Sequence, residues 1–275
     1  MTTLSGKTIL MSGGSRGIGL AIAVRAARDG ANVALVAKTD RPDPRLQGTI
    51  HTAAAAIEEA GGQALPIVGD IRDDATIERA VAEAAERFHG IDIVVNNASV
   101  LNLSGTTALE PKRYDLMQDV NVRGTYMLTR AAIPHLVQAE DPKVLTLSPP
   151  VNLDPKWFRA HPAYTMAKYA MTMAALGFAS ELADLGISST ALWPATLVAT
   201  DAIGNLPGGD RMVAVSRKPD IVADAAHAVL TTSGQELNGR TVIDEELLRE
   251  RGVTDFAAYS MTGRDEGLAP DLFLG

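Results

Sequence analysis

Tyr164 and Lys168 stand one helical turn apart, so in a helix they share a face. A free tyrosine has a pKa of about 10, too high for proton transfer near neutrality, and an adjacent ammonium favours the phenolate. The pair is therefore a candidate general acid–base, although a Tyr-x-x-x-Lys spacing alone also fits an ordinary helix surface. Far upstream, Ser12-Gly13-Gly14-Ser15-Arg16-Gly17-Ile18-Gly19 follows an apolar run and opens a segment striped by Ile18, Ile22 and Ala26. Gly13 and Gly17, lacking Cβ, let the backbone approach a pyrophosphate, and Gly19 lets helix meet strand. The helix N-terminus favours the anion. Ser15 and Arg16 lie in the same turn. A dinucleotide site is the chemical reading, and a tight strand-to-helix turn without ligand is the alternative.

The second apolar run ends in Ala37-Lys38, where an NAD-selective site places an acidic residue for the ribose hydroxyls. Lys38, with Arg16, could instead neutralise a 2′-phosphate, which favours NADP(H) over NAD(H) unless both are merely solvated surface cations. Ser148 follows another apolar run, at the sheet edge where ligands bind, and could hydrogen-bond a substrate carbonyl. Asn121 interrupts a helical pattern beside Gly124, which suggests a local distortion with a side-chain or water contact. Each of these two also fits a cap or a satisfied polar group.

These residues need a scaffold. Thr8–Met11, Val33–Ala37, Ala64–Val68, Ile91–Val95, Val144–Leu147, Ser189–Trp193 and Thr241–Ile243 read as buried strands. Ile18–Arg28, Thr52–Ala60, Thr76–Phe88, Lys112–Gln138, Ala163–Leu185 and Asp220–Thr231 read as helices, with Gly30, Gly61 and Gly186 as stops. The alternation is βαβ, and no linker or repeat divides the 275 residues, so a single α/β domain over 1–275 is expected. Proline-bearing irregular stretches, Thr39–Thr49, Pro149–Pro162, Ala195–Pro219 and the tail after Asp244, are the expected walls of the crevice. Residues 195–219 are read as a lid, and the tail 245–275 as a cover for the crevice or a contact with a partner subunit.

Composition narrows the partners. With 25 basic and 33 acidic residues the net charge is −8, which disfavours nucleic acid. No cysteine is present and the five histidines are scattered, so no metal site is expected. Ile93–Leu109 and Leu185–Thr200 are too polar or proline-broken to span a bilayer. Neither the N-terminal residues nor Phe273-Leu274-Gly275 form a targeting signal, so no membrane insertion and a cytoplasmic location are expected.

Taken together, Gly13-x-x-x-Gly17-x-Gly19, Asn96-Asn97-Ala98-Ser99, Asn121, Ser148 and Tyr164-x-x-x-Lys168 resemble the short-chain dehydrogenase/reductase family, from about Leu4 to Asp244. The resemblance implies a Rossmann-type, doubly wound domain with a seven-stranded parallel sheet flanked by helices, assembled as a homodimer or homotetramer. It implies hydride transfer between a nicotinamide and a carbonyl or alcohol carbon of a small-molecule substrate. Tyr164 would be the proton donor or acceptor. Lys168 would lower its pKa and bind the nicotinamide ribose, Ser148 would orient the carbonyl, and Asn121 would hold a relay water. Asp70 and Ile71 would border the adenine, Asn97 and Ala98 its ribose, and Ile18 the nicotinamide side. Pro194, Thr196 and Thr200 would lie near the nicotinamide or its phosphates. The chain departs from the family pattern with Pro194-Ala195 for Pro-Gly, a longer Ser148–Tyr164 interval, and Asp244-Glu245-Glu246 for Asp-Gly-Gly.

Leu197, Val198, Ile203, Leu206, Met212, Val213 and Val215 in the lid, with Trp157 and Phe158, suggest an apolar or lipid-like substrate, unless they only dock their loops. The reading is an NADP(H)-dependent oxidoreductase acting on a carbonyl or secondary alcohol. A dinucleotide-binding redox sensor or scaffold with little activity is the alternative, and reduction of an activated C=C bond is a third.

Overall fold

Apolar residues fill consecutive positions of the central strands because helices cover both faces of the sheet they form. In the computed structural model, which describes residues 3–43 and 46–274, seven parallel strands are joined by helical crossovers. Pro44 and Arg45 of the expected crevice loop, and residues 1, 2 and 275 of the expected domain span, lie outside the described residues. The strands are β1 (Thr8–Ser12), β2 (Asn32–Ala37), β3 (Gln63–Val68), β4 (Ile93–Asn96), β5 (Lys143–Leu147), β6 (Ser188–Trp193) and β7 (Thr241–Ile243). Their order across the sheet is 3-2-1-4-5-6-7. Pro66 sits in β3, at the sheet edge, where its missing N–H costs least.

Alternation along each strand feeds two cores. Ile9, Met11, Val33 and Leu35 pack with α1 (Gly17–Ala27), α2 (Ile50–Glu59) and, beyond them, the later helix Asp220–Thr231. Leu10, Ala34, Val36 and Val94 point the other way, onto α3 (Asp74–Phe88). The expected helix Lys112–Gln138 is interrupted: α4 (Pro111–Met117) runs into a π-helical turn, Gln118–Arg123, before α5 (Gly124–Leu136). That turn carries the distortion expected at Asn121, with the Gly124 amide donating to the Asp119 carbonyl.

Several short helices fall in stretches read as irregular: α6 (Lys156–Arg159) precedes α7 (Pro162–Glu181), and the lid contains α8 (Asp201–Gly204) and α9 (Gly209–Ala214). The expected helix Asp220–Thr231 is α10. It is followed by α11 (Gly234–Leu237) and, in the tail, α12 (Asp244–Glu250), whose first turn holds Asp244, Glu245 and Glu246. Acidic side chains there complement the helix dipole. Gly30, Gly61 and Gly186 do adopt the left-handed conformation expected of helix stops.

After α12 the tail returns to the sheet's C-terminal edge. Arg217, 3% exposed at its side chain, ties it down by donating to Glu245 and Asp265 at 2.7 Å each and to the Phe256 carbonyl at 2.9 Å. Phe273 then enters a third cluster with Met117, Ala163, Tyr164, Tyr169, Trp193 and Ile243. Within this chain, the tail places Asp271 and Leu272 on the wall of a cavity lined also by Tyr164 and Lys168. Phe273→Ala is expected to lower unfolding free energy by about 3–5 kcal/mol in urea denaturation, whereas a loss below about 1 kcal/mol would mark the tail as a dispensable strap.

Candidate active site

Crossovers leave β1 in one direction and β4 in the other, so a crevice opens between the C-terminal ends of these neighbours. The two ends are cross-tied. Asn97 Nδ2 donates to the Ser12 and Gly13 carbonyls at 3.2 and 3.1 Å, and Ser12 Oγ accepts from the Asn97 and Ala98 amides at 3.3 and 3.2 Å. Gly13 has φ +71°, and a Cβ there would lie 3.0 Å from Ala98 Cα; at Gly19 it would lie 2.8 Å from the Gly13 carbonyl oxygen. Side chains are therefore excluded from the turn. No side chain caps the N-terminus of α1, which leaves its first amides for an anion.

A cavity of about 470 Å³ fills this crevice. Gly13, Ser15, Arg16, Gly17, Ile18, Gly19, Lys38, Asp70, Ile71, Asn97, Ala98 and Thr200 all line it. Arg16 donates to the Gln47 and Gly48 carbonyls at 3.1 and 3.3 Å, and its Nε lies 3.9 Å from Asp201. Lys38 is 3.4 Å from Asp70, which the Arg72 guanidinium grips through both oxygens. Arg72, opposed by burial and aided by Lys38, pulls the Asp70 carboxyl down to about 2. Bare backbone amides at the glycine turn, the Arg16 and Lys38 cations on the wall and apolar Ile18 and Ile71 fit a dinucleotide.

A second cavity, of about 210 Å³, adjoins the first through Ile18, Asn97 and Thr200 and is lined by Tyr164, Lys168 and Pro194. α7 presents Tyr164 and Lys168 on one face, both buried. Lys168 Nζ donates to the Leu147 carbonyl at 2.6 Å and lies 4.9 Å from the Trp193 ring centre. The Tyr164 hydroxyl makes no hydrogen bond among the described residues. Burial pulls the Lys168 ammonium down to about 7, opposed by the Asp271 charge. Burial, and then Asp271, push the Tyr164 phenol above its ordinary value. Lowering by Lys168 was expected, and the protein alone gives the opposite direction: the ammonium is turned to Leu147 and the phenol has lost its water.

Three expected residues stay outside both cavities. Ser148 Oγ is buried without a partner, and the Ser148 amide still donates to Thr146 and Leu192. Leu147 lines the inner cavity in its stead, and strand alternation turns Ser148 away. The expectation that Ser148 orients a carbonyl is thus corrected. Asn121 uses its side chain to clamp Val100, accepting from its amide at 2.7 Å and donating to its carbonyl at 3.1 Å. Those two bonds engage one donor and one acceptor of the Asn121 amide. Thr196 forms a β-bridge with Pro270 and lines neither cavity. Among the apolar residues, Leu197, Val198, Ile203, Leu206 and Met212 line the inner cavity, while Val213, Val215, Trp157 and Phe158 do not. Trp157 packs on Phe273 and Phe158 on Tyr169.

The sequence reading missed Asp271, Leu272 and Asp244. Asp271 and Leu272 line the inner cavity from the tail. Asp244 Oδ1 accepts from the Ala195 amide at 2.8 Å while the Asp271 amide donates to the Ala195 carbonyl at 3.1 Å, so the Pro194-Ala195 departure is held from both sides. The apolar run Leu272-Phe273-Leu274 at the end of the tail was the available signal.

Residues 7–208 match the short chain dehydrogenase family model. Hydroxysteroid dehydrogenase-like protein 2 of Danio rerio is 49% identical over 271 residues, 98% of this chain and 64% of that protein. The human protein of that name is 47% identical over the same shares. The chain therefore spans a little under two thirds of the length of these relatives. A short chain dehydrogenase from Mycobacterium thermoresistibile is 54% identical, with a TM-score of 0.93 over 99% of this chain and 96% of that one. One from Burkholderia cenocepacia in complex with NADP is 29% identical, with a TM-score of 0.74 over 87% and 96%. The glycine turn, the strand order and the Tyr164–Lys168 pair share that ancestry, and the chain belongs to the short chain dehydrogenase family.

Proposed function

We propose that this chain is an NADP(H)-dependent oxidoreductase that interconverts a carbonyl and a secondary alcohol on an apolar or lipid-like molecule. The observation that carries the reading is the continuity of the two cavities, dinucleotide-shaped on one side and holding Tyr164 and Lys168 on the other. A bound dihydronicotinamide supplies the hydride. Tyr164 supplies the proton to the carbonyl oxygen, and a phenol held neutral by burial suits the reductive direction. Lys168, when protonated, contributes positive charge beside the developing alkoxide.

Arg16 and Lys38 at the end of β2 support NADP(H), in keeping with the NADP-bound Burkholderia relative. Lys38 is paired with Asp70 but remains 59% exposed at its side chain, so it can turn to a 2′-phosphate. The apolar lining from Leu101, Leu103, Leu197, Ile203, Leu206 and Met212 supports the substrate class. Tyr126 on α5 and Met166, Met173 and Leu176 on α7 are exposed, and such apolar faces support a homodimer or homotetramer. No helix among the described residues is long and apolar enough to cross a membrane.

The withdrawn Ser148 hydroxyl is the one feature that favours the second reading, a dinucleotide-binding sensor with little activity. Tyr164→Phe separates the two. Reduction of medium-chain and cyclic ketones, followed by NADPH absorbance, is expected to fall at least about 10²-fold, with NADPH affinity within about twofold of the parent. Parent protein that binds NADPH but reduces none of these ketones would support the sensor. For the cofactor, Arg16→Ala and Lys38→Ala are each expected to reduce the NADPH-over-NADH preference about tenfold in fluorescence titrations. Equal affinity of the parent for the two cofactors would overturn the preference.

A further inference from the structure

We propose that Asp271, carried into the inner cavity by the C-terminal tail, is a catalytic residue whose carboxyl hydrogen-bonds the substrate's carbonyl oxygen beside Tyr164, where Ser148 does not reach. The inference rests on the reductase reading above. Asp271 is the acidic residue that lines this cavity, together with Tyr164 and Lys168. Its Oδ1 accepts from the Leu272 amide at 2.6 Å, and its Oδ2 has no partner among the described residues.

The carboxyl is held in place rather than left on a loose end. Leu197 N donates to the Ala269 carbonyl and Asp271 N to the Ala195 carbonyl, at 2.9 and 3.1 Å, which zips tail to lid. Trp193 Nε1 donates to the Leu272 carbonyl at 3.0 Å, and Asn152 Nδ2 to the Phe273 carbonyl at 3.3 Å. The Phe273 ring lies 5.2 Å from Tyr169, 6.0 Å from Trp193 and 6.1 Å from Tyr164. Its backbone takes φ +74°, a left-handed conformation that bulky residues avoid and that persists only where the surroundings over-determine it.

Burial, opposed by the Leu272 amide and Lys168 and aided by nearby Asp244, pushes the Asp271 carboxyl up to about 7. Tyr164 and Lys168 face it from α7, and Asp244 from the start of α12 behind Ala195. A carboxylic acid that is still protonated near neutrality is a hydrogen-bond donor. In the reduction, hydride from NADPH forms the new C–H bond and the carbonyl π pair moves to oxygen. Oxygen takes the Tyr164 phenolic proton, solvent reprotonates Tyr164, and NADPH leaves as NADP⁺. Asp271 keeps its own proton throughout and donates only a hydrogen bond.

Asp271→Asn preserves a donor of similar shape, and Asp271→Ala removes it. With 2-decanone, cyclohexanone and acetophenone as probes, kcat/KM for NADPH-dependent reduction is expected to fall roughly 10²-fold in Asp271→Ala. Asp271→Asn should stay within about tenfold of the parent, and both variants should keep the parent's NADPH affinity and thermal midpoint. Independently of turnover, the parent labelled with [γ-¹³C]aspartate should show two carboxyls that titrate well above the usual range, Asp244 at about 6 and a second near neutrality that is absent from Asp271→Asn. An Asp271→Ala variant as active as the parent, an Asp271→Asn as impaired as Asp271→Ala, or a titration midpoint below about 5 would each overturn the proposal. A parent that binds NADPH yet reduces none of the probes overturns the reductase reading and the role of Asp271 with it.

Discussion

An ammonium set into an apolar wall has to be held there by the groups around it, because a charge taken from water without partners is expelled or neutralised. Lys168 is 2% exposed, and its partners arrive from separate parts of the chain. The Leu147 carbonyl comes from the end of β5 and the Trp193 ring from the end of β6, while Asp271 from the tail offsets the charge only in its ionised form. Register makes this convergence possible: Leu147 pairs with Leu192 and Trp193 with Ile243, so the ends of three strands stand side by side beneath α7. What remains uncompensated lowers the Lys168 ammonium toward neutrality and makes the site responsive to any further charge that enters it.

The crevice next to it is organised by a different economy of groups, in which backbone is kept bare. Ser12 and Asn97 satisfy each other across the β1–β4 junction, which ties the ends of the two central strands directly together. The glycine turn stays open because a Cβ at Gly13 or Gly19 would collide with the same junction. The lid joins this frame through Thr200, whose methyl would lie 3.2 Å from a Cβ on Gly17, and through Asp201, which accepts from the Gln47 amide at 2.9 Å. Cofactor crevice, lid and tail are thus continuous: the lid bonds to the crevice loop at one end and to the tail at the other.

The sheet and its main helices were legible because every strand except the edge strand β3 is largely buried and most helices carry their own period. Even the fault at Asn121 showed as a poor helix former in a helical run, and it is a π-turn that frees the side chain to clamp Val100. The glycine turn was legible because its chemistry is local. Ser148 was misplaced because its motif fixes only chain position, and a slip of one residue on a strand reverses the face. The direction of the Tyr164 shift was misjudged because spacing gives proximity to Lys168 but says nothing of burial or of where the ammonium is engaged. Asp271 could not be found from the sequence, because it lies more than a hundred residues beyond Tyr164 and reaches the cavity only by way of Arg217, Phe273 and the lid. Contacts of that range carry no periodic signal.

The proposed acid–base role of Tyr164 and Lys168 beside a dinucleotide entails one defining consequence, the direct passage of hydride between nicotinamide and substrate carbon. NADPH deuterated stereospecifically at C4, prepared in both configurations and supplied with a ketone, tests this most directly by mass spectrometry of the alcohol. One of the two preparations is expected to place a single deuterium on the carbinol carbon, and the other none. Product lacking deuterium from both preparations, or deuterium on a carbon adjacent to an intact carbonyl, would contradict carbonyl reduction at this site.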